Sequence, residues 1–314
     1  MNKRIYISIV LVIIIAIGGF AVYSKKGNPV NTQSNKEMVT VNHKYGEIEI
    51  PKNPENVVVL DYGALDTLDV LGVEILALPK KNLPQYLDKY KDDKYIDLGG
   101  LKEFDIEKIN ELNPDLIIIE GRQEDYYEEF SKIAPTLFVE GDNMNFVKSV
   151  KDKSLILGKI FDKEDMVNKE ISIIDEEISK VNEKVKEKNV DASVLFISDS
   201  SLSVYGEKSR FNMIYNEFGF KVNDPKVGDS NHGESISYEY ILKNNPDYIF
   251  VIDKNVITGT NNITAKKLME NDLIKSTKAF QNEKIIYLDS GVWYVGGAGI
   301  QSLNKRINEI NEII

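Results

Sequence analysis

Arginine is scarce in this chain. Lysine and arginine together number 39, yet the only arginines are Arg4, Arg122, Arg210 and Arg306. Lysine does the general solubility work, so each arginine invites a specific question. The net charge is -11. An anionic ligand must therefore be met by a few local cations, and nucleic acid is not an expected partner. The only histidines are His43 and His232. His232 sits in SNHGES (230–235), a run of small polar residues, and that setting alone fits an exposed residue without a role. Trp293, the single tryptophan, and Tyr294 stand together in LDSGVWYVGGAG (288–299). Cysteine is absent, which removes thiol catalysis, disulfides and thiolate metal sites together. No phosphate-cradling glycine loop or nucleophile elbow is present. Asp and Glu are plentiful, but no spacing singles out a catalytic pair, so an enzyme is not expected.

The elements that must position these residues alternate between strand and helix. Hydrophobic content of 42% and aromatic content of 9% are enough for a core. MVTVNHKYGEIEIP alternates like a hairpin. NVVVL (56–60), EILALP (74–79), the LIII of 116–119 and TLFVE (136–140) read as buried strands, with helices over 64–73 and before the Pro of 114. The alternation restarts with ASVLFIS (192–198), a helix over 210–219, strands over 248–253 and 284–289, and a closing helix over 299–314. Between the halves, residues 162–189 contain no Gly or Pro. Ile171, Ile174, Ile178, Val181 and Val185 form an apolar stripe on one helix face, and about 26 helical residues extend roughly 40 Å.

An internal repeat relates the halves. EKINELNPDLIII and EYILKNNPDYIFVI align on Asn-Pro-Asp, so that Asn113 corresponds to Asn245. Glu107 and Glu239 fall at the same offset upstream. The expected fold is α/β: two βα lobes with central parallel sheets, residues 38–160 and 190–314, joined by one long rigid α-helix over 161–189.

The N-terminus carries Lys3 and Arg4 ahead of an uncharged apolar run over 6–23, which reaches the lower limit for a bilayer span. It reads as a signal peptide cleaved near Gly19-Phe20-Ala21 or as an uncleaved anchor. Its length favours a membrane anchor over 1–23, with the body outside the cell. Residues 24–37 read as a flexible tether.

Together with EGRQEDYYEEFSKIAPT (120–136), SDSSLSVYGEKSRFNMI (198–214), SNHGESISYEYILKNNPDYIFVIDKN (230–255) and LDSGVWYVGGAG, these features resemble one family. They are similar to the substrate-binding proteins of ABC importers for iron–siderophores, haem and cobalamin, and most of all to petrobactin-type receptors for ferric catecholates. Gram-positive members usually carry a lipobox cysteine. Here none follows Gly18-Gly19, so lipid attachment is excluded and a membrane anchor would serve instead.

The resemblance implies a role for each candidate. Arg122, Arg210 and Lys254 match ligand-contacting basic positions, and arginine bonds paired oxygen atoms better than lysine. His232 and Tyr294 match direct iron ligands that complete the coordination left open by a tetradentate siderophore. Imidazole and phenolate both suit that task. Trp293 and Tyr126, with Tyr127, offer aromatic faces near the ligand; the plain alternatives are core packing and a surface pair. Glu107 and Glu239 match the acidic residues that dock on the two permease subunits, against the alternative of a solvated helix face. No intrinsic cofactor is implied, the ligand being an Fe(III)–siderophore complex, and a monomer is expected. Haem, held by His and Tyr, is the alternative ligand.

Overall fold

The computed structural model describes residues 37–142, 144–228, 230, 232–259 and 264–314. The anchor expected over 1–23 and nearly all of the tether lie outside the described residues. Among those described, no helix is long and apolar enough to cross a membrane.

Strands β1 (Met38–His43) and β2 (Gly46–Pro51) pair as an antiparallel hairpin. Val39, Val41 and Ile50 are buried while Asn42 and Glu49 are exposed, as a period of two requires. A parallel sheet follows, built from β3 (Val57–Val59), β4 (Ala77–Leu78), β5 (Ile96–Asp97), β6 (Leu116–Ile119) and β7 (Thr136–Phe138). Its order is β5-β4-β3-β6-β7. β3 and β6 are buried along their whole length, which is why they read as unbroken apolar runs.

The second sheet contains β8 (Asp191–Ser198), β9 (Ser201–Tyr205), β10 (Lys221–Val222), β11 (Glu234–Ser235), β12 (Tyr248–Asp253) and β13 (Ile285–Tyr287). Its order is β11-β9-β8-β12-β13, with β10 beside β8. β8, β10, β12 and β13 are parallel, whereas β9, near one edge, pairs antiparallel with both β8 and β11. The sequence gives little warning of β9. Its hairpin turn holds Asp199 at φ 56°, a conformation that Asp tolerates without glycine.

One helix is unexpected, and two expected elements shorten. A helix over Phe146–Ile160 is hidden in the sequence by its lysines, although Val150, Leu157 and Ile160 on it are fully buried. The helix expected over 210–219 shrinks to Met213–Asn216. Phe211, Met213, Ile214, Tyr215 and Phe218 are all buried, a set that no single helix face carries. The strand expected over 74–79 shortens to β4.

The long helix runs Glu164–Lys188 and ends on Asn189 at φ 56°. Its stripe is shared between two cores. Val167 and Ile171 pack with β3, β6 and the hairpin. Ile174, Ile178, Val181 and Val185 pack with β8, β12 and the C-terminal helix Ile300–Ile313. A second connection lies beside it. Buried Asp66, on the helix Tyr62–Val70, accepts the backbone N–H groups of Gln301 at 2.5 Å and Ser302 at 2.7 Å, capping the C-terminal helix. Gly63 allows the close approach: a Cβ there would lie 2.6 Å from the Ala298 nitrogen.

The repeat has one backbone geometry. Asn113 and Asn245 lie at φ 47° and 45°. Asp115 then accepts N–H bonds from Glu55 and Asn56, just ahead of β3. Asp247 accepts one from Asp191, which opens β8. In each half the motif ends a helix and ties the next strand to its neighbour.

Candidate ligand-binding cleft

The site is built where strands end. β6 delivers the chain to Arg122 through a turn locked by fully buried Gln123. The Gln123 amide donates to the Leu101 carbonyl at 2.5 Å and accepts from Glu120 N–H at 3.1 Å. The Arg122 side chain is 36% exposed and pairs with Glu120 at 2.6 Å. Burial opposes its charge, but the Glu120 carboxylate outweighs burial and the net shift is upward.

β12 delivers Lys254 in the same way. Asn255, buried beside it, exchanges hydrogen bonds of 2.8 and 3.0 Å with the Asp199 backbone. The ends of β8 and β12 are thereby tied together under the lysine.

Arg210 is half-buried and pairs with no carboxylate among the described residues. Its guanidinium carbon lies 4.8 Å from the Tyr294 ring centroid and 5.1 Å from that of Phe211. Nη2 donates to the Tyr294 carbonyl at 3.2 Å. Burial lowers its pKa.

Two cavities meet here. The outer one, about 330 Å³, is lined by Lys81, Lys102, Arg122, Arg210, Lys254, Tyr294 and Glu103 among others. Glu103 is the one carboxylate among the described lining residues, and it pairs with Lys81 at 2.9 Å. The inner one, about 300 Å³, shares Arg122, Arg210 and Tyr294 and adds Arg306, Trp293, Lys153 and several carboxylates. All three arginines of the described residues thus line one chamber. At its wall Lys153 and Asp61 form an ion pair at 2.7 Å, with 3% and 4% of each side chain exposed. Burial pushes the Asp61 carboxyl up, but Lys153 and the helix N–H groups more than reverse this. Removing one member of such a pair costs about 3–5 kcal/mol.

The remaining candidates are placed as follows. Trp293 is buried, and its indole N–H donates to Glu309 at 2.7 Å. His232 is exposed on its loop, its backbone N–H donating to Ser230, and it lines neither cavity. Tyr126, 41% exposed, packs edge-on against Phe104 at 5.0 Å and also lies outside both linings. Glu107 and Glu239 are exposed in the first turns of corresponding helices, Ile106–Glu111 and Tyr238–Asn244. Sequence reasoning missed Lys81 and Lys102, which nothing distinguishes from other lysines. It also left Arg306 without a role, although arginine scarcity marked it equally with Arg122 and Arg210.

The sequence pattern of the periplasmic binding protein family matches residues 57–292. The chain belongs to that family. Within this family of periplasmic binding proteins, it is 43% identical over 312 residues to the petrobactin-binding protein YclQ of Bacillus subtilis, a match covering 98% of this chain and 97% of that protein. The crystal structure of that relative superposes with a TM-score of 0.84 at 45% identity, over 88% of this chain and 98% of the other. The periplasmic catecholate-siderophore binding protein VctP of Vibrio cholerae superposes at 0.82 with 34% identity, over 88% and 100% of the two chains. The ferric-anguibactin-binding protein FatB of Vibrio anguillarum is 32% identical over 277 residues, covering 87% of this chain and 86% of that protein.

Proposed function

We propose that this chain is the substrate-binding component of an ABC importer, capturing a catecholate-type Fe(III)–siderophore between its two lobes and delivering it to the permease. The observation that carries the reading is the charge of the outer cavity. Lys81, Lys102, Arg122, Arg210 and Lys254 converge there in a protein of net charge -11. A ferric catecholate is a bulky anion with paired oxygen atoms, which guanidinium groups match in both charge and shape. The names of the relatives favour a siderophore over haem. The chain acts by binding and not by catalysis, and its iron arrives with the ligand.

In this reading Tyr294 ligates the iron from inside the cleft. His232 reaches it from the loop, completing the coordination of a tetradentate siderophore. Trp293 backs the site, and Tyr126, packed on Phe104, stays outside it. The lobes are residues 38–160 and 190–314, joined by 161–189, and the protein works as a monomer. Residues 1–23 hold it at the outer face of the plasma membrane on the tether 24–37, there being no cysteine to carry a lipid. Glu107 and Glu239 dock on the permease subunits.

The test is titration of the protein with ferric tetradentate and hexadentate catecholates and, separately, with haem. Saturable 1:1 quenching of Trp293 fluorescence by a ferric catecholate supports the reading. A shifted haem Soret band with no response to any catecholate overturns it.

A further inference from the structure

Tyr294 is presented by an unusual piece of backbone. Gly291–Val295 forms a single π-helical turn, a rare conformation often found at functional sites. Its sequence, GVWYV, offers little local reason for it, since the valines resist helical crowding. The turn is held from outside. Arg306, on the C-terminal helix, is 4% exposed. Its guanidinium carbon lies 4.1 Å from the Phe146 ring centroid and 5.1 Å from that of Trp293. Nη2 donates to the Val292 carbonyl at 2.9 Å. Glu309 lies one turn along the same helix. Its carboxylate accepts the Trp293 indole N–H at 2.7 Å and the Asp289 backbone N–H at 3.0 Å. Two residues on one helix face thus hold the start and middle of the turn. Arg210 holds the Tyr294 carbonyl, and the Tyr86 hydroxyl donates to the Gly296 carbonyl at 3.0 Å.

We propose that Arg306, backed by Glu309, is a positioning residue that fixes the π-turn and so aims the Tyr294 phenol at the bound iron. The inference rests on the reading of Tyr294 as an iron ligand. A buried guanidinium is an expensive way to fill a core. Leu or Met would fill the space between Phe146 and Trp293 without the desolvation cost of a charge. What they could not supply is the charge-assisted bond to the Val292 carbonyl, next but one to Tyr294. The Arg306 Nε has no hydrogen-bond partner among the described residues, and the hydrogen bond this arginine makes goes to the Val292 carbonyl.

The test uses the full-length protein, a ferric bis-catecholate as probe, and the visible charge-transfer band as readout, because Trp293 fluorescence itself senses Arg306. Wild type is compared with Tyr294→Phe, Arg306→Met, Arg306→Lys, Glu309→Gln and the double variant Y294F/R306M. The expected result is that R306M moves the band toward that of Y294F and weakens binding roughly tenfold. R306K restores part of both, and the double variant is no worse than Y294F alone. A purely structural Arg306 would lower thermal stability and leave the band in place. A wild-type band in R306M, where Y294F has lost it, overturns the positioning role. A wild-type band in Y294F removes the ligand reading and this role with it. If R306M does not fold, E309Q carries the same comparison, since it keeps the side-chain shape while weakening the bonds to Asp289 and the indole.

Discussion

The guanidinium of Arg210 and the ring of Tyr294 stack 4.8 Å apart, and the same guanidinium donates to the Tyr294 carbonyl. The cation is thus oriented by the aromatic residue beside it and has no competing carboxylate among the described residues. Its remaining donors are available to a ligand. Arg210→Ala is expected to weaken ferric catecholate binding roughly ten- to hundredfold, the range for a lost charge-assisted hydrogen bond. Arg210→Lys should recover only part, because an ammonium neither stacks nor forks. Direct titration of each variant checks this, and unchanged affinity in R210A contradicts it.

Arg122 should behave differently under salt. It already pairs with Glu120 at 2.6 Å, so a ligand must share it. Glu120→Gln frees the guanidinium, and tighter binding of an anionic ferric complex is expected, with the gain shrinking as ionic strength rises. Affinities measured at two salt concentrations decide the matter, and weaker binding in E120Q counts against this account of the cleft.

Asp66 makes stability depend on pH in an unusual direction. Burial raises its carboxyl to about 6, more than the bonds from Ser302, Gln301 and Tyr86 lower it. The folded value lies above the ordinary 3.8, so the native state holds the proton more tightly. This contribution is fully present below about pH 4 and is lost as pH rises through about 6. Asp66→Asn does not titrate there. Relative to D66N, wild type should lose on the order of 2 kcal/mol between those limits. Urea unfolding at both pH values measures it, and a pH-independent difference would contradict the prediction.

The lobes are joined by more than a strand of chain. The long helix packs Val167 into one core and Ile174 into the other, and Asp66 caps the C-terminal helix across the same boundary. Small-angle scattering profiles with and without ferric siderophore should agree within error. A marked compaction on binding contradicts this.

Glu107 and Glu239 are expected to act after capture. Charge reversal of both should leave ligand affinity unchanged, since neither lines the cleft, and should abolish siderophore-dependent iron uptake by cells. Normal uptake by the double variant removes the docking role.

What was legible in the sequence followed from local chemistry. The Asn-Pro-Asp turns could be read because Pro stops a helix and Asn accepts the left-handed backbone, and both asparagines do so. The stripe on the long helix could be read because one face repeats. Arg122 and Arg210 stood out by rarity, and Arg122 also by its place just after the carboxyl end of a strand. The rest depends on tertiary contacts. Arg306 is buried by Phe146, far from it in sequence, so nothing local revealed its sandwich. β9 needed a hairpin turn with no glycine, and the helix Phe146–Ile160 carries too many lysines to look half-buried. Lys81 and Lys102 become cleft residues only when the loops after β4 and β5 are brought opposite Arg210.

The central claim is that a ferric catecholate binds in this cleft with Tyr294 and His232 on its iron. The most direct measurement is the visible spectrum of a ferric tetradentate catecholate titrated into wild type, Tyr294→Phe and His232→Ala. The account predicts a saturable shift of the charge-transfer band in wild type, lost in Y294F and reduced in H232A. The same ferric complex binding with one spectrum in all three proteins, or not binding at all, would contradict it.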